Sequence, residues 1–238
     1  MIRVLVPTGT LTVAAAVPLE DEEQHHLRVR RVHAGDNVLA FDGAGGIGRG
    51  VLEAAGRGFE VVVHEVETIP PPDPLLLAVA TGDRDRWLRL AEQCTELGVT
   101  RLMPLVTERA LSVESRLREP ALDKVRRRAR DACKQSGNPW APVVHPFADL
   151  AAFARAAPAA RWLLAAPHGL PLPPEDPLRD ACGWLIGPEG GFTAGEADLL
   201  VTELAARPTW LAPHVLRFET AAIAAASLTI GRRGRRGG

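Results

Sequence analysis

Cysteine, lysine and long apolar runs are all scarce in this chain of 238 residues, and the first and last of these scarcities each remove a class of function. The cysteines, Cys94, Cys133 and Cys182, are odd in number, stand far apart and form no CxxC pair. Neither a disulfide framework nor a zinc site is implied, no metal is expected, and a reducing cytoplasmic setting fits. No stretch of about 18 apolar residues occurs, which excludes a membrane-spanning helix. The N-terminal segment MIRVLVPTGTLTVAAAV is broken by Pro7, Gly9 and several threonines, so it lacks the continuous apolar core of a secretory signal. There is no GxxxxGK[ST], and nucleotide hydrolysis has no support. An excess of positive charge is missing too: 28 Lys and Arg against 29 Asp and Glu leave a formal net charge of −1. Any nucleic-acid site must therefore be a local patch on a near-neutral body.

What is present is the composition of an ordinary globular protein, with 46% hydrophobic and 24% charged residues, in a chain long enough for two domains. Lysine occurs only at Lys124 and Lys134, so arginine carries nearly all the positive charge. Guanidinium groups suit bidentate phosphate contacts. A coding bias toward arginine explains the same composition without any ligand.

The first 70 residues read as strands, with Val38–Asp42, Ile47–Leu52 and Glu60–Ile69 rich in β-branched residues and separated by glycine-rich turns. Pro70 to Pro74 then interrupts any hydrogen-bond ladder and marks a boundary. The expected division is 1–70 and 71–238. After it the pattern alternates: strand Leu75–Thr81, helix Asp85–Leu97, strand Arg101–Val106, helix Leu122–Ser136, strands Arg161–Ala166 and Gly183–Ile186, helices Thr193–Ala206 and Ala221–Ile230. That is an α/β domain. Thr193 and Glu196 have capping-box spacing. A Gly/Arg tail, Gly231–Gly238, closes the chain as a fraying end or a weak electrostatic contact.

Gly43-Ala-Gly45-Gly-Ile-Gly48 matches the dinucleotide fingerprint GxGxxG. The next strand follows within about ten residues, too few for a crossover helix, so Asp42–Gly46 is predicted to be a hairpin turn. The stronger signal is Leu185-Ile186-Gly187-Pro188-Glu189-Gly190-Gly191-Phe192, a strand entering a side-chain-poor loop before a capped helix. Such a loop lets a flat ligand approach the main chain, as ligands do at strand C-termini, or it is only a tight turn. A second segment, Leu211 to Ala221, sets Arg217 and Glu219 among apolar residues before a small-residue helix. The pair carries chemistry, or Glu219 or Thr220 caps that helix while Arg217 pairs with Glu219.

Together these segments resemble the GPEGG and LGxRVLRxETA signatures of the RsmE family of the SPOUT superfamily, which methylates N3 of a uridine in small-subunit ribosomal RNA. Further stretches agree along nearly the whole chain: His26 to Arg31 resembles H-x-x-RVLR, Thr95 to Val99 TELGV, Thr107 to Arg109 TER, and Lys134 to Gly137 [EK]QSGR. The chain departs from the pattern at Gln93, Asn138, Ala212 and His214.

The resemblance implies an RNA-binding PUA-like β-barrel followed by a SPOUT-type α/β methyltransferase domain with a deep trefoil knot. It implies S-adenosyl-L-methionine (AdoMet) held by loops at Leu164–Gly169, Ile186–Gly191 and Leu211–Arg217. The cofactor residues so implied are Leu164, Ala165, Ala166, Ile186, Gly187, Pro188, Glu189, Gly190, Gly191, Leu211, Val215, Leu216 and Arg217. It further implies a homodimer through the knot region, with Ala221–Ile230 as a close-packing surface, acting on 16S rRNA or the assembled small subunit. Uridine N3 must lose a proton while charge spreads to O2 and O4. Arg217 is the candidate to steady that charge, and Glu189 or Glu219 to accept the proton. RNA contacts are expected from Arg28, Arg30, Arg31 and Arg109, and from Arg127, Arg128 and Lys134. The last three are expected on a face opposite to Leu122, Val125, Ala129 and Cys133, where a basic face is otherwise only a solvated one. A non-catalytic RNA-binding dimer and, more remotely, a nicotinamide oxidoreductase are the competing functions.

Overall fold

The computed structural model describes residues 1–111 and 116–234, and the chain divides into two compact units. One comprises Met1–Pro71 with Arg130–Ala141; the other comprises Pro72–Ala129 and the chain from Pro142 onward. The boundary falls in the proline run, and a segment from the middle of the chain joins the N-terminal unit. The tail residues 235–238 lie outside the described part.

The N-terminal unit contains β1 (Ile2–Leu5), β2 (Ala16–Pro18), α1 (Asp21–Val29), β3 (Asn37–Phe41), β4 (Gly46–Ala55) and β5 (Gly58–Thr68). The strands form a five-stranded sheet in the order β1-β3-β4-β5-β2. Alternation along the strands turns Val4, Val38, Ala40, Leu52, Val61 and Val63 into one core with Leu27 of α1. The all-strand expectation fails at α1. This helix buries only Glu23 and Leu27, one turn apart, so its apolar stripe is too thin to read, although three acidic residues in its first turn favour its N-terminus. The Asp42–Gly46 turn is the predicted hairpin: β3 and β4 pair antiparallel up to Phe41↔Ile47. Asp42 Oδ1 accepts the N–H groups of Ala44 and Gly46 at 2.8 Å each, while Gly43 and Gly45 take positive φ. Cys133 packs on Leu5 and Phe41, and Trp140 Nε1 donates to the Ile69 carbonyl at 3.2 Å, which ties 130–141 to this unit.

The second unit runs β6 (Leu75–Ala80), α2 (Arg84–Glu96), β7 (Arg101–Val106), α3 (Leu122–Ser136, whose last turns belong to the first unit), β8 (Val143–Val144), β9 (Ala148–Asp149), α4 (Leu150–Ala156), β10 (Arg161–Leu170), β11 (Cys182–Ile186), α5 (Ala194–Leu204), β12 (Arg207–Thr209) and α6 (Phe218–Arg233). Its seven strands pair in parallel, in the order β12-β10-β11-β6-β7-β8 with β9 beside β7. Parallel sheets are covered on both faces, and β6 reads accordingly as an unbroken apolar run with every residue buried. Leu75, Leu77 and Val79 face one core with α2, α3 and α6, whereas Leu76 and Ala78 face the other with α4 and α5. Thr193 and Glu196 form the predicted capping box at the start of α5.

Two fully buried tryptophans fix the first core. Trp87 Nε1 donates to the Ala80 carbonyl and Trp184 Nε1 to Thr229 Oγ1, each at 2.9 Å, so neither indole leaves a polar group unmet. The small-residue helix α6 packs inward: Ala222, Ala225 and Ala226 are buried with Phe218 against β6, β11 and α2. That row serves the core of its own unit, while Ala221, Ile223, Ala224 and Leu228 are half-buried and Ser227 and Ile230 exposed on the rest of the helix. The cysteines are free and buried; burial pushes the Cys133 thiol up to about 12 and raises those of Cys94 and Cys182.

Candidate cofactor cavity and RNA-facing residues

Strand order reverses between β6 and β11: the chain steps outward from β6 to β7, then returns through β10 on the far side of β11. Ligand crevices form beside the C-terminal ends of strands at such points. A cavity of about 460 Å³ opens there, walled by segments from the end of β10, the β11–α5 loop and the loop before α6.

Each wall has a local cause. The register of β10 against β12 shifts between Ala165 and Leu170, so Ala166, Pro167 and His168 leave the ladder and, with the still-paired Leu164 and Ala165, line the cavity. The return passes through Gly169, where a Cβ would stand 2.5 Å from the Thr209 nitrogen, so only glycine allows the two backbones this close. The second wall is Ile186, Gly187, Pro188, Glu189, Gly190, Gly191 and Phe192. Gly191 N–H donates to the Pro188 carbonyl at 2.7 Å with φ +71, closing a tight turn. The third wall includes Leu211, Ala212, His214, Val215 and Leu216.

Polar contacts brace the glycine loop. Arg109, in a one-turn 3-10 segment after β7, donates to the carbonyls of Gly190 and Phe192. Glu196 accepts Thr193 N–H with one carboxylate oxygen and Glu108 N–H with the other, both at 2.8 Å. Arg86 of α2 reaches Glu189 Oε1 at 2.9 Å, and its Nε lies 3.7 Å from Glu219 Oε1. The second carboxylate oxygen, Glu219 Oε2, is buried with no hydrogen-bond partner among the described residues.

The anticipated cofactor residues thus line one cavity, with one exception. Arg217 is the N-cap residue of α6, with an exposed side chain that forms no capping bond, and it is not part of the wall. Nor does Glu219 cap α6 or pair with Arg217; its ion pair is with Arg86.

The anticipated RNA-binding residues lie in different settings. Arg28, Arg30 and Arg31 are exposed at and just after the end of α1, and Arg127 is exposed on α3. Arg128 is half-exposed with its Nε 3.5 Å from Glu92. Lys134 does not project away from its helix: its side chain is only 16% exposed and holds the buried Glu23 and, at 3.6 Å, Asp131. A buried carboxylate needs such a cation, and this one is recruited from 111 residues away. Arg109 is drawn into the glycine loop.

Comparison with known proteins agrees with this architecture. The model of the RNA methyltransferase domain family matches residues 70–230, and that of the RNA methyltransferase PUA domain matches residues 19–63. The ribosomal RNA small subunit methyltransferase E of Synechocystis sp. is 30% identical over 227 residues, spanning 91% of this chain and 73% of that protein. This chain belongs to the ribosomal RNA small subunit methyltransferase E family. The Aquifex aeolicus member is 28% identical over 214 residues, covering 88% of this chain and 92% of its own. The crystal structure of the Neisseria gonorrhoeae member, bound to S-adenosyl methionine, superposes with a TM-score of 0.82 over 96% of both chains at 27% identity. Within this family member, a PUA domain precedes an α/β methyltransferase domain built on a parallel sheet.

Sequence reasoning missed Arg86, the cation that joins Glu189 to Glu219. It sits in the first turn of an ordinary amphipathic helix, and nothing local distinguishes it from Arg84 or Arg89. Phe192 and Ala212 line the cavity too; both lie within segments singled out from the sequence, but neither was among the cofactor residues implied there.

Proposed function

We propose that this chain transfers the methyl group of AdoMet to N3 of a uridine in 16S rRNA, free or within the small ribosomal subunit, in the cytoplasm. The observation that carries this is the cavity at the strand-order reversal. Its volume lies within the roughly 300–1,000 Å³ usual for small-ligand sites. Leu164, Ile186, Leu211 and Leu216 offer apolar walls suited to an adenine ring. The loop Gly187–Gly191 offers bare main chain for polar contacts; a Cβ at Gly187 would stand 3.0 Å from the Phe192 nitrogen, so a side chain there would press on the loop's main chain.

When bound, AdoMet supplies an electrophilic methyl group on a sulfonium centre. The chain's own residues must position the acceptor and handle its proton, since in-line transfer depends mainly on alignment. The target uridine enters unpaired or flipped, with its N3 edge exposed. Glu189, on the cavity wall, and Glu219, with one oxygen uncommitted, are the groups to take the N3 proton directly or through water. Arg86 holds both carboxylates in place. Arg217, exposed at the N-terminus of α6, steadies charge on O2 and O4, helped by the helix dipole.

RNA is held by Arg28, Arg30 and Arg31 of the PUA unit and by Arg127 and Arg128 of α3. The threading of the C-terminal segments is read as a trefoil knot, and the insertion of β11 between β10 and β6 supports it. Dimerisation through the same region is supported by large apolar side chains left exposed there, Trp210 at 38% and Val215 at 73%. Thermal melting tests the ligand assignment. S-adenosylhomocysteine is expected to raise the melting temperature and NAD(P) to leave it unchanged; no response to S-adenosylhomocysteine would favour a non-catalytic RNA-binding module.

A further inference from the structure

A second cavity, of about 420 Å³, lies in the methyltransferase unit apart from the glycine loop, where the start of α2 meets the chain leading into α3. Its charged lining is Arg84, Arg116, Arg118 and Lys124 against Asp83 and Asp85. Four cations against two carboxylates leave a local surplus of two positive charges, on a chain whose formal net charge is −1. The carboxylates are already engaged. Asp83 Oδ1 caps α2 by accepting the N–H groups of Asp85 and Arg86 at 3.0 Å each, and Asp85 pairs with Arg84 at 3.0 Å. Among the described residues, no carboxylate lies within ion-pair distance of Arg116, Arg118 or Lys124. Three cations lining one cavity, none of them in an ion pair among the described residues, gain from an anion that joins them.

We propose that this cavity is a phosphate-binding site for the backbone of the RNA substrate, a deepening that rests on the methyltransferase reading above. Three of the four cations are arginines, whose planar fork matches phosphate oxygens. Among the described residues no aromatic side chain lines the cavity, so it offers no platform on which to stack a base and holds the backbone without reading sequence. Its position gives it a use. Arg84 and Asp85 line it, while Arg86, the next residue of the same helical turn, pairs with Glu189 on the wall of the cofactor cavity. A phosphodiester held here would share the first turn of α2 with the cation that holds the candidate catalytic carboxylates, a place for the backbone that flanks an extruded uridine.

The test is the salt dependence of binding of a fluorescent single-stranded oligouridine by the full chain and by the triple variant Arg116→Gln, Arg118→Gln, Lys124→Gln. Losing these contacts is expected to weaken binding several-fold and to flatten the slope of log K against log salt by about 2, at about 0.7 per phosphate contact. The melting-temperature rise given by S-adenosylhomocysteine should be unchanged, which also shows that the variant folds. Asp85→Asn, which removes a competing carboxylate, is expected to tighten oligouridine binding. An unchanged slope in the triple variant would overturn the proposal. So would inorganic phosphate binding lost in the triple variant while oligouridine binding is retained, because the cavity would then take only the free ion. Oligouridine binding through this cavity without methyl transfer to small subunits would sink the methyltransferase reading and leave the RNA-backbone site standing.

Discussion

Arg86 Nη1 lies 2.9 Å from Glu189 Oε1, joining the first turn of α2 to the glycine loop across 103 residues of chain. Through its Nε the same guanidinium approaches Glu219, so one cation sets the spacing of the two carboxylates proposed to take a proton. Arg86→Ala is expected to lower kcat by about 10²-fold, the cost of a misplaced catalytic group, with a much smaller change in KM. Arg86→Lys should recover part of the loss. A fall in melting temperature with kcat intact would reduce Arg86 to a structural role.

Arg217 makes a separable case because it stands outside the cavity wall. Arg217→Ala is expected to bind S-adenosylhomocysteine as the parent chain does and to lose turnover. Full turnover with normal cofactor and RNA binding would remove its assigned role in steadying charge.

Trp184 and Thr229 are both buried, and the threonine hydroxyl is the indole's acceptor at 2.9 Å. Thr229→Val preserves shape but strands the indole N–H, at a cost of about 1–3 kcal/mol. Trp184→Ala removes the ring as well and is expected to cost about 3–5 kcal/mol. Urea unfolding measures both.

Arg161 holds Asp176 bidentately, with contacts of 2.8 and 2.5 Å, and these hydrogen bonds keep the Asp176 carboxyl below its ordinary range, with help from Leu178 N–H. The folded form binds this proton more weakly than the unfolded form, so stability rises with pH across the window between the two values. The contribution is complete above about pH 5, where the unfolded carboxyl is ionised, and is lost as pH falls through the depressed folded value. Asp176→Asn is expected to cost about 1 kcal/mol at neutral pH and nearly nothing in strong acid. An equal cost at both would show that hydrogen-bond geometry, not charge, is at work.

The parallel sheet was legible because buried strands and amphipathic helices write their periods locally: β7 and α3 fall where the sequence placed them, and β6 and α2 within a residue. The glycine loop was legible because its composition serves no core. Long-range pairing carries no local mark. Lys134 looked like one more cation on a basic face until Glu23 claimed it, and Arg109 and Arg86 found their partners only through the fold. Helix α1 was missed for a related reason, since two inward residues are too few to set a period.

The most direct test is transfer of labelled methyl from AdoMet to small ribosomal subunits that lack the modification, followed by nuclease digestion and identification of the labelled nucleoside. The account expects 3-methyluridine at a single site in 16S rRNA, abolished by disrupting the Gly187–Gly191 loop. Label recovered at another atom or base, or no label at all while S-adenosylhomocysteine still binds, would contradict it.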